Sequence, residues 1–312
     1  VNKAELTTES WFRIIDYMHQ NYGTSLSFVI TGGEPLLHKD LDKIGAYIKQ
    51  KNMRWGTVTN GMLLDITRMK ALEDAGIYSL TLSVDGLEHA HNFLRNSSSA
   101  FRKVLIALDA LGKSQIKFKD AVTCVYPKNL NELSQIANLL LSKGINSWRL
   151  FRIFPSGRAQ NNAELQLSFS QTQELLTWIA QNKKTFKTKG LDLNLSCEGY
   201  LPFEEDMKLR NQPFFCRAGI SIASILSDGT ITGCTNNHNS FYEGNILNDN
   251  FGQLWDKGFH KFRQREWIKK TICANCEYSK YCQGGSIHLW ELPSEKPKFC
   301  YVNDLSQISD KE

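Results

Sequence analysis

The sequence predicts an α/β protein in two parts: a parallel sheet with helices over residues 1–190, and a small loop-rich module built around cysteines over residues 191–312. Two observations carry this. From residue 10 to about 155, helical periodicity alternates with short strand-like apolar runs five times without a break. Six of the eight cysteines, Cys216, Cys234, Cys273, Cys276, Cys282 and Cys300, fall in the last third.

Trp11, Ile14, Ile15 and Met18 recur at helical spacing, and Leu26 to Ile30 then forms an apolar run that stops at Thr31-Gly32-Gly33-Glu34-Pro35. Ile44, Tyr47 and Ile48 share the face of a second helix, followed by a strand near Arg54 to Thr59 that ends at Asn60-Gly61. Met69, Leu72 and Ala75 mark a helix closed by Gly76, and the strand from Tyr78 to Val84 ends at Asp85-Gly86. Phe101, Leu105, Leu108 and Leu111 give a helix that stops at Gly112. A strand over 116–125, a helix over 129–143 closed by Gly144, and a strand over 147–154 complete the series at Pro155-Ser156-Gly157. Such alternation requires a parallel sheet, doubly wound or curled into a barrel, with ligands at the carboxyl ends of the strands. The Gly33, Asn60, Asp85 and Gly157 neighbourhoods should therefore line one rim.

Residues 160–189 read as a polar connector, helical from Ser170 to about Lys184, and a short strand follows Gly190. With 41% hydrophobic and 22% charged residues in 312, the chain can bury one large core and an appended module. A net charge of +5, with cations interspersed among acids, demands no nucleic acid and permits a weakly acidic substrate. No apolar run reaches membrane-spanning length, and the amino end has no secretory pattern. The expectation is a soluble protein of the reducing cytoplasm, without membrane or nucleic-acid partners. The chain begins at Val1, directly before helix-like sequence, and is expected to lack its natural start.

The cysteines are spaced as Cys216-x12-Gly229-x4-Cys234, then Cys273-x2-Cys276-x5-Cys282, then Cys300. A Cys-x2-Cys turn aims two sulfurs at one point, which suits zinc or an iron–sulfur cluster, and spacing alone leaves both open. A disulfide framework would suit a small secreted domain without a core of its own.

Thr31-Gly32-Gly33-Glu34-Pro35-Leu36-Leu37 resembles the glycine–glycine–glutamate motif of radical S-adenosylmethionine (SAM) enzymes. Asn60-Gly61 and Ser83-Val84-Asp85-Gly86 match that family's later strand ends in order, and the cysteine array, with Gly244-Asn245-Ile246 and Leu254-Trp255 between its halves, is similar to the SPASM domain of one branch. The resemblance covers nearly the entire chain and implies a partial (β/α) barrel followed by a SPASM domain.

By this resemblance Gly32, Gly33 and Glu34 bind the amino group of SAM, and Asn60 and Ser83 stand at strand ends that contact the same ligand. Glycines let backbone approach a ligand, and a carboxylate accepts from an ammonium group. Cys273, Cys276, Cys282 and Cys300 would hold one auxiliary [4Fe–4S] cluster. Cys216 and Cys234 would belong to a second site whose further ligand position is occupied by Ser286, a poor iron donor, so one auxiliary cluster is expected. The family's Cys-x3-Cys-x2-Cys loop, which holds the catalytic [4Fe–4S] cluster, is absent, since no cysteine precedes Cys124. The loop and first strand are expected to lie in the missing start, which would make this chain inactive alone; the catalytic residues are unassigned.

The implied activity is an oxidoreductase or maturase that modifies a peptide or protein substrate by 5′-deoxyadenosyl radical hydrogen abstraction, fed by an electron donor such as a flavodoxin or ferredoxin. The alternatives are a small-molecule or tetrapyrrole substrate, and a non-catalytic barrel-like binding protein with a structural zinc site. Sulfatase maturation is disfavoured, because Thr235 stands where that subgroup has an acidic base. Outside the motifs, Cys124 is expected in the core, Cys197 either packed or near the site, and His89 and His91 as solvated loop residues. Trp148, Phe151 and Phe154 alternate with Arg149 and Arg152, and Arg152 either reaches a rim ligand or forms a barrel-wall salt bridge. The Lys-rich stretch 181–189 reads as a solvated helix end.

Overall fold

The computed structural model describes residues 5–302. It comprises two compact units: Thr7–Ile153 with Asn161–Ser196, and a second formed by Phe154–Gln160 and the chain from Cys197 onward, with the short stretch before Thr7. Among the described residues no helix is long and apolar enough to cross a membrane.

The first unit is a six-stranded parallel sheet in sequential order: β1 (Ser27–Ile30), β2 (Arg54–Thr59), β3 (Ser79–Ser83), β4 (Phe118–Val125), β5 (Ser147–Arg152) and β6 (Asp192–Leu195). The helices between them are α2 (Leu41–Gln50), α3 (Ile66–Asp74), α4 (Glu88–Arg95), α5 (Ala100–Lys113), α6 (Leu133–Ser142) and α7 (Phe169–Thr188), with α1 (Thr8–Tyr22) before β1. Parallel crossovers are right-handed, so steps that always move to the next strand lay every helix on the same face. This is the arrangement of a partial (β/α) barrel. The pairings Ile30 with Thr57, Thr59 with Leu82, Ser83 with Val122 and Val125 with Arg152 bring the strand ends to one rim.

The strand faces divide accordingly. Leu80, Leu82, Ala121, Val125, Trp148, Leu150, Leu193 and Leu195 are buried, as are Val104, Leu108, Ile136, Leu140, Leu175 and Ile179 on the helices. Each such Leu or Ile contributes roughly 1.5–3 kcal/mol. On the other face, Asp120 accepts from Thr81 Oγ1 at 2.8 Å, Ser147 Oγ at 2.7 Å and Arg149 Nε at 3.0 Å. A carboxylate there is tolerable because two hydroxyls and a guanidinium surround it.

Several expectations change. The 160–189 stretch is more than a connector: α7 carries the chain to a sixth strand, capped by Ser168 and Gln171, each side chain bonded to the other's backbone N–H. The β5 aromatics split between faces, Trp148 buried and Phe151 only half-buried, and a wall salt bridge joins Arg149 to Asp120. Cys124 is half-buried, out of phase with the buried Thr123 and Val125.

The second unit has little regular structure. Its sheet is the antiparallel set β7 (Ser224–Ile225), β8 (Thr230–Thr232) and β9 (Tyr242–Asn245), with α8 (Phe203–Leu209) and α9 (Phe251–Lys257) as its longest helices. An aromatic cluster forms the core: Phe241, Phe259, Phe262 and Trp290 are fully buried. Phe262 approaches so closely that a Cβ on Gly233 would lie 2.5 Å from its ring, which requires glycine immediately before Cys234.

Candidate functional site

Gly32 and Gly33 turn the chain outward after β1. Both are exposed, and a Cβ built on either would meet no atom within 4 Å, so the turn presents open backbone to an incoming ligand. Glu34 anchors the turn to the end of β2. Its Oε1 accepts from Thr59 Oγ1 at 2.6 Å and Leu36 N at 3.1 Å, and its Oε2 accepts from Asn60 N at 2.8 Å. A carboxylate has about four acceptor positions, so this one is oriented by its own chain and retains capacity for an ammonium donor. These residues fit the amino end of SAM.

Asn60 closes the β2 turn, its Oδ1 accepting from Met62 N at 2.8 Å, which leaves only its amide NH2 for a ligand. Ser83 ends β3 half-buried, and its hydroxyl has no hydrogen bond among the described residues. The structure thus brings Gly32, Gly33, Glu34 and Asn60 together directly and sets Ser83 at the end of the next strand.

Beside Ser83 lies a buried network that the sequence did not reveal. Asp85 is fully buried; its Oδ1 accepts from Cys124 N at 2.9 Å, its Oδ2 from Arg95 Nε at 2.8 Å, and its carbonyl from Asn129 Nδ2 at 2.9 Å. Arg95, on α4, also lies within electrostatic range of Glu34. The only sequence signal was Asp85-Gly86 as a strand end. The two histidines do point apart, but just one is solvated: His89 is exposed, whereas His91 is buried and its Nδ1 accepts from Asp85 N at 3.0 Å. Burial pushes His91 down to about 4.

None of the eight cysteines, seven in the second unit and Cys124 in the sheet unit, forms a disulfide, which removes the disulfide reading. Cys273 and Cys276 flank a turn of 3₁₀ helix over Ile272–Asn275, started by Thr271 Oγ1 accepting from Cys273 N at 3.2 Å. Cys282 ends a helical turn over Ser279–Cys282, and three left-handed residues, Gln283, Gly284 and Gly285, reverse the chain after it. Burial first, then the neighbouring Cys300, Cys273 and Cys276, push the Cys282 thiol up to about 12. Burial, then Cys300 and Cys276, likewise raise Cys273, although its bond with Thr271 acts the other way. The four thiols predicted as one set therefore sense one another.

Among the described residues, no three His, Cys, Asp or Glu side chains form a group able to hold a single metal ion. One tetrahedral zinc, with Zn–S near 2.3 Å, requires sulfurs within roughly 4 Å of each other. A cluster places its thiolates on separate irons, so it takes four thiols that sense one another without converging on a single ion.

Cys234 is raised by burial and then by Cys216, so the early pair is also close. Ser286, expected at a further ligand position of that pair, is buried and donates to the Cys197 carbonyl at 3.0 Å. Cys197 itself is exposed. The early pair thus offers two thiols, and the serine hydroxyl of that site is committed to a backbone carbonyl. The residues of the sheet unit do not fit the catalytic cluster, because no cysteine precedes Cys124.

Residues 1–140 match the model of the Radical SAM superfamily, and residues 216–277 match that of an iron-sulfur cluster-binding domain, SPASM. An AdoMet-dependent heme synthase of Methanosarcina barkeri is 26% identical over 91% of this chain and 83% of its own length. The Fe-coproporphyrin III synthase of the same organism is 25% identical over 90% and 75%. Native anSMEcpe with bound AdoMet superposes with a TM-score of 0.72, at 17% identity, over 98% of this chain and 87% of that one. Streptococcus suis SuiB bound to S-adenosylmethionine does so at 0.69, at 16% identity, over 96% and 70%, and these two likenesses concern the fold. The sequential parallel sheet with its Gly-Gly-Glu rim, the cysteine array and both family models lead to one assignment: the chain carries a radical SAM domain over residues 1–140 and a SPASM domain over residues 216–277.

Proposed function

We propose that this chain supplies the SAM site and an auxiliary-cluster site of an oxidoreductase that modifies a peptide or protein side chain by radical hydrogen abstraction. The observation that carries the SAM site is Glu34, fixed by Thr59, Leu36 and Asn60 beside an open glycine turn. Cys273, Cys276, Cys282 and Cys300 are assigned to one auxiliary [4Fe–4S] cluster. In this reading Glu34 accepts from the ligand ammonium group, the Gly32–Gly33 backbone lies along the methionyl chain, and Ser83 donates to a polar ligand atom. Asp85 and Arg95 keep the β3 end rigid. A catalytic cluster, held by thiolates that these residues do not include, would supply the electron for the reductive cleavage of SAM, chemistry that no side chain can replace. Without its thiolates, the 312 residues alone release no 5′-deoxyadenosine. Electrons come from a small acidic carrier such as a flavodoxin or ferredoxin, a reading supported by residues 257–298, which carry nine Lys or Arg against four Glu.

Support for a peptide substrate comes from anSMEcpe with the Cp18Cys peptide and SuiB with its precursor peptide SuiA, which share the fold over 98% and 93% of this chain. A second reading, an iron tetrapyrrole substrate, is favoured by the heme and Fe-coproporphyrin III synthases that align over about nine-tenths of the chain. The test is anaerobic incubation of cluster-loaded protein, including the cysteine loop, with SAM and dithionite. Iron-coproporphyrin III and a library of short peptides serve as separate substrates. Peptide-dependent 5′-deoxyadenosine with a matching mass change supports the first reading. Turnover only with the tetrapyrrole selects the second, and no 5′-deoxyadenosine under any condition would overturn both.

A further inference from the structure

Arg265 is 1% exposed and adopts a left-handed backbone, with φ of 52°. Its guanidinium donates to three carbonyls: Nε to Phe262 at 2.7 Å, one terminal nitrogen to Gln283 at 2.8 Å, and the other to Cys216 at 3.1 Å. It also lies over the Phe215 ring, 4.8 Å from the centroid. These bonds join the segment of Cys216 to the residue following Cys282, the two halves of the cysteine array.

Its charge balance is unusual within this unit. Arg210 is similarly buried and is paired with Asp206. Arg265 has no carboxylate partner among the described residues; the titratable groups it senses are the thiols of Cys216 and Cys282, which oppose the fall that burial imposes on it. A guanidinium does not neutralise itself by losing its proton, and an unpaired buried charge is strongly unfavourable. Carbonyl dipoles offset part of that penalty; an adjacent anion would offset the rest. Four thiolates around an iron–sulfur cluster form such an anion, and one more negative charge arrives when the cluster is reduced.

We propose that Arg265 is the internal counter-cation of the auxiliary cluster on the Cys282 set, holding it electrostatically and raising its reduction potential. This inference rests on the cluster assignment made above. A fixed cation in a water-poor surrounding stabilises the reduced cluster more than the oxidised one, because the reduced form carries the larger negative charge. Arg265 is a positioning residue: it touches backbone around the cage and no substrate.

The test uses the full chain, reconstituted anaerobically, as wild type, Arg265→Lys and Arg265→Gln. Iron and sulfide are measured first, and the reduction potential is then followed by electron paramagnetic resonance. With iron retained, Arg265→Gln should lower the reduced-to-oxidised ratio at fixed potential at least tenfold, a shift of about 59 mV for a one-electron couple. Arg265→Lys should stay within threefold of wild type. Loss of iron in the Gln variant but not the Lys variant would also support the charge requirement. Equal potentials in all three iron-loaded proteins would overturn the proposal, as would iron loss in both variants, which would reduce Arg265 to a geometric pin. A wild-type chain that takes up no iron would overturn the cluster assignment itself, and the proposal with it.

Discussion

Glu34 accepts three hydrogen bonds from its own chain, and its position follows from them: Thr59 and Asn60 hold the carboxylate across the gap between two strand ends. Glu34→Gln replaces an ionic acceptor with an amide, so SAM affinity of the cluster-loaded protein should fall roughly tenfold or more in titration calorimetry. The change lies on a solvated rim, and thermal stability should fall by only about 1 kcal/mol. Unaltered affinity would sink the ligand assignment. His91 supplies a second test. Its folded value near 4 lies below the unfolded 6.5, so between these values the unfolded chain binds more protons. The stability tied to neutral His91 is complete above 6.5 and is lost as pH falls towards 4, up to about 3 kcal/mol. His91→Gln should flatten that part of the urea midpoint against pH; an unchanged slope would mean the ring is not the titrating group. Of these two residues only Glu34 was legible in the sequence, because its motif is contiguous. His91 looked like a loop histidine, since nothing local shows that Asp85 N–H requires an acceptor.

At the scale of elements, the alternation of periods identified five strands and a short one after Gly190, and polar composition hid that this sixth strand extends the same sheet. Residues 160–189 carry enough Gln, Asn and Lys to resemble a connector, yet Leu175, Ile179 and Phe186 of α7 are buried and suffice to seat it. A long crossover with a narrow apolar stripe reads weakly in a window that expects a broad one. Short α4 was missed for a related reason: eight residues with only Ala90 and His91 buried give little periodic signal. Gly45 shows packing overriding local propensity. In the interior of α2, alanine should stabilise the helix by about 1 kcal/mol. A Cβ there would lie 2.3 Å from the buried Trp55 ring, which is itself fixed by its Nε1 donating to the Ala75 carbonyl at 3.0 Å. Overpacking costs about 1–3 kcal/mol. Gly45→Ala should therefore destabilise the sheet unit in guanidinium melts, and a more stable variant would show that the Trp55 ring yields freely.

Across the whole molecule, the two units draw stability from different sources, and metal removal should separate them. The sheet unit has continuous helix-to-sheet packing, from Leu80 and Leu82 through Trp148 to Leu193. In the cysteine unit the longest helices are Phe203–Leu209 and Phe251–Lys257, its strands run two to four residues, and four of its thiols converge on a site assigned to a cluster. Its aromatic core of Phe241, Phe259, Phe262 and Trp290 is real, but the backbone bonds of the loops bearing Cys273, Cys276 and Cys282 are mostly local turns, such as Cys276 N to the Cys273 carbonyl and Cys282 N to the Tyr278 carbonyl, which anchor them weakly to the rest of the unit once their thiols lose a shared partner. Where ligands converge only in the folded state, binding free energy is folding free energy. Cys276→Ala, or anaerobic chelation of the wild type, should therefore strip iron and lower a calorimetric transition assigned to the cysteine unit, leaving a separate sheet-unit transition within a few degrees. Limited proteolysis should then cut first near the Cys273 to Cys300 loops. If iron is lost and both transitions stay in place, the aromatic core alone holds that unit and the cluster is a passenger. Should Cys276→Ala retain full iron, the four-thiolate set is wrong, and Cys216 and Cys234 become the next ligands to test.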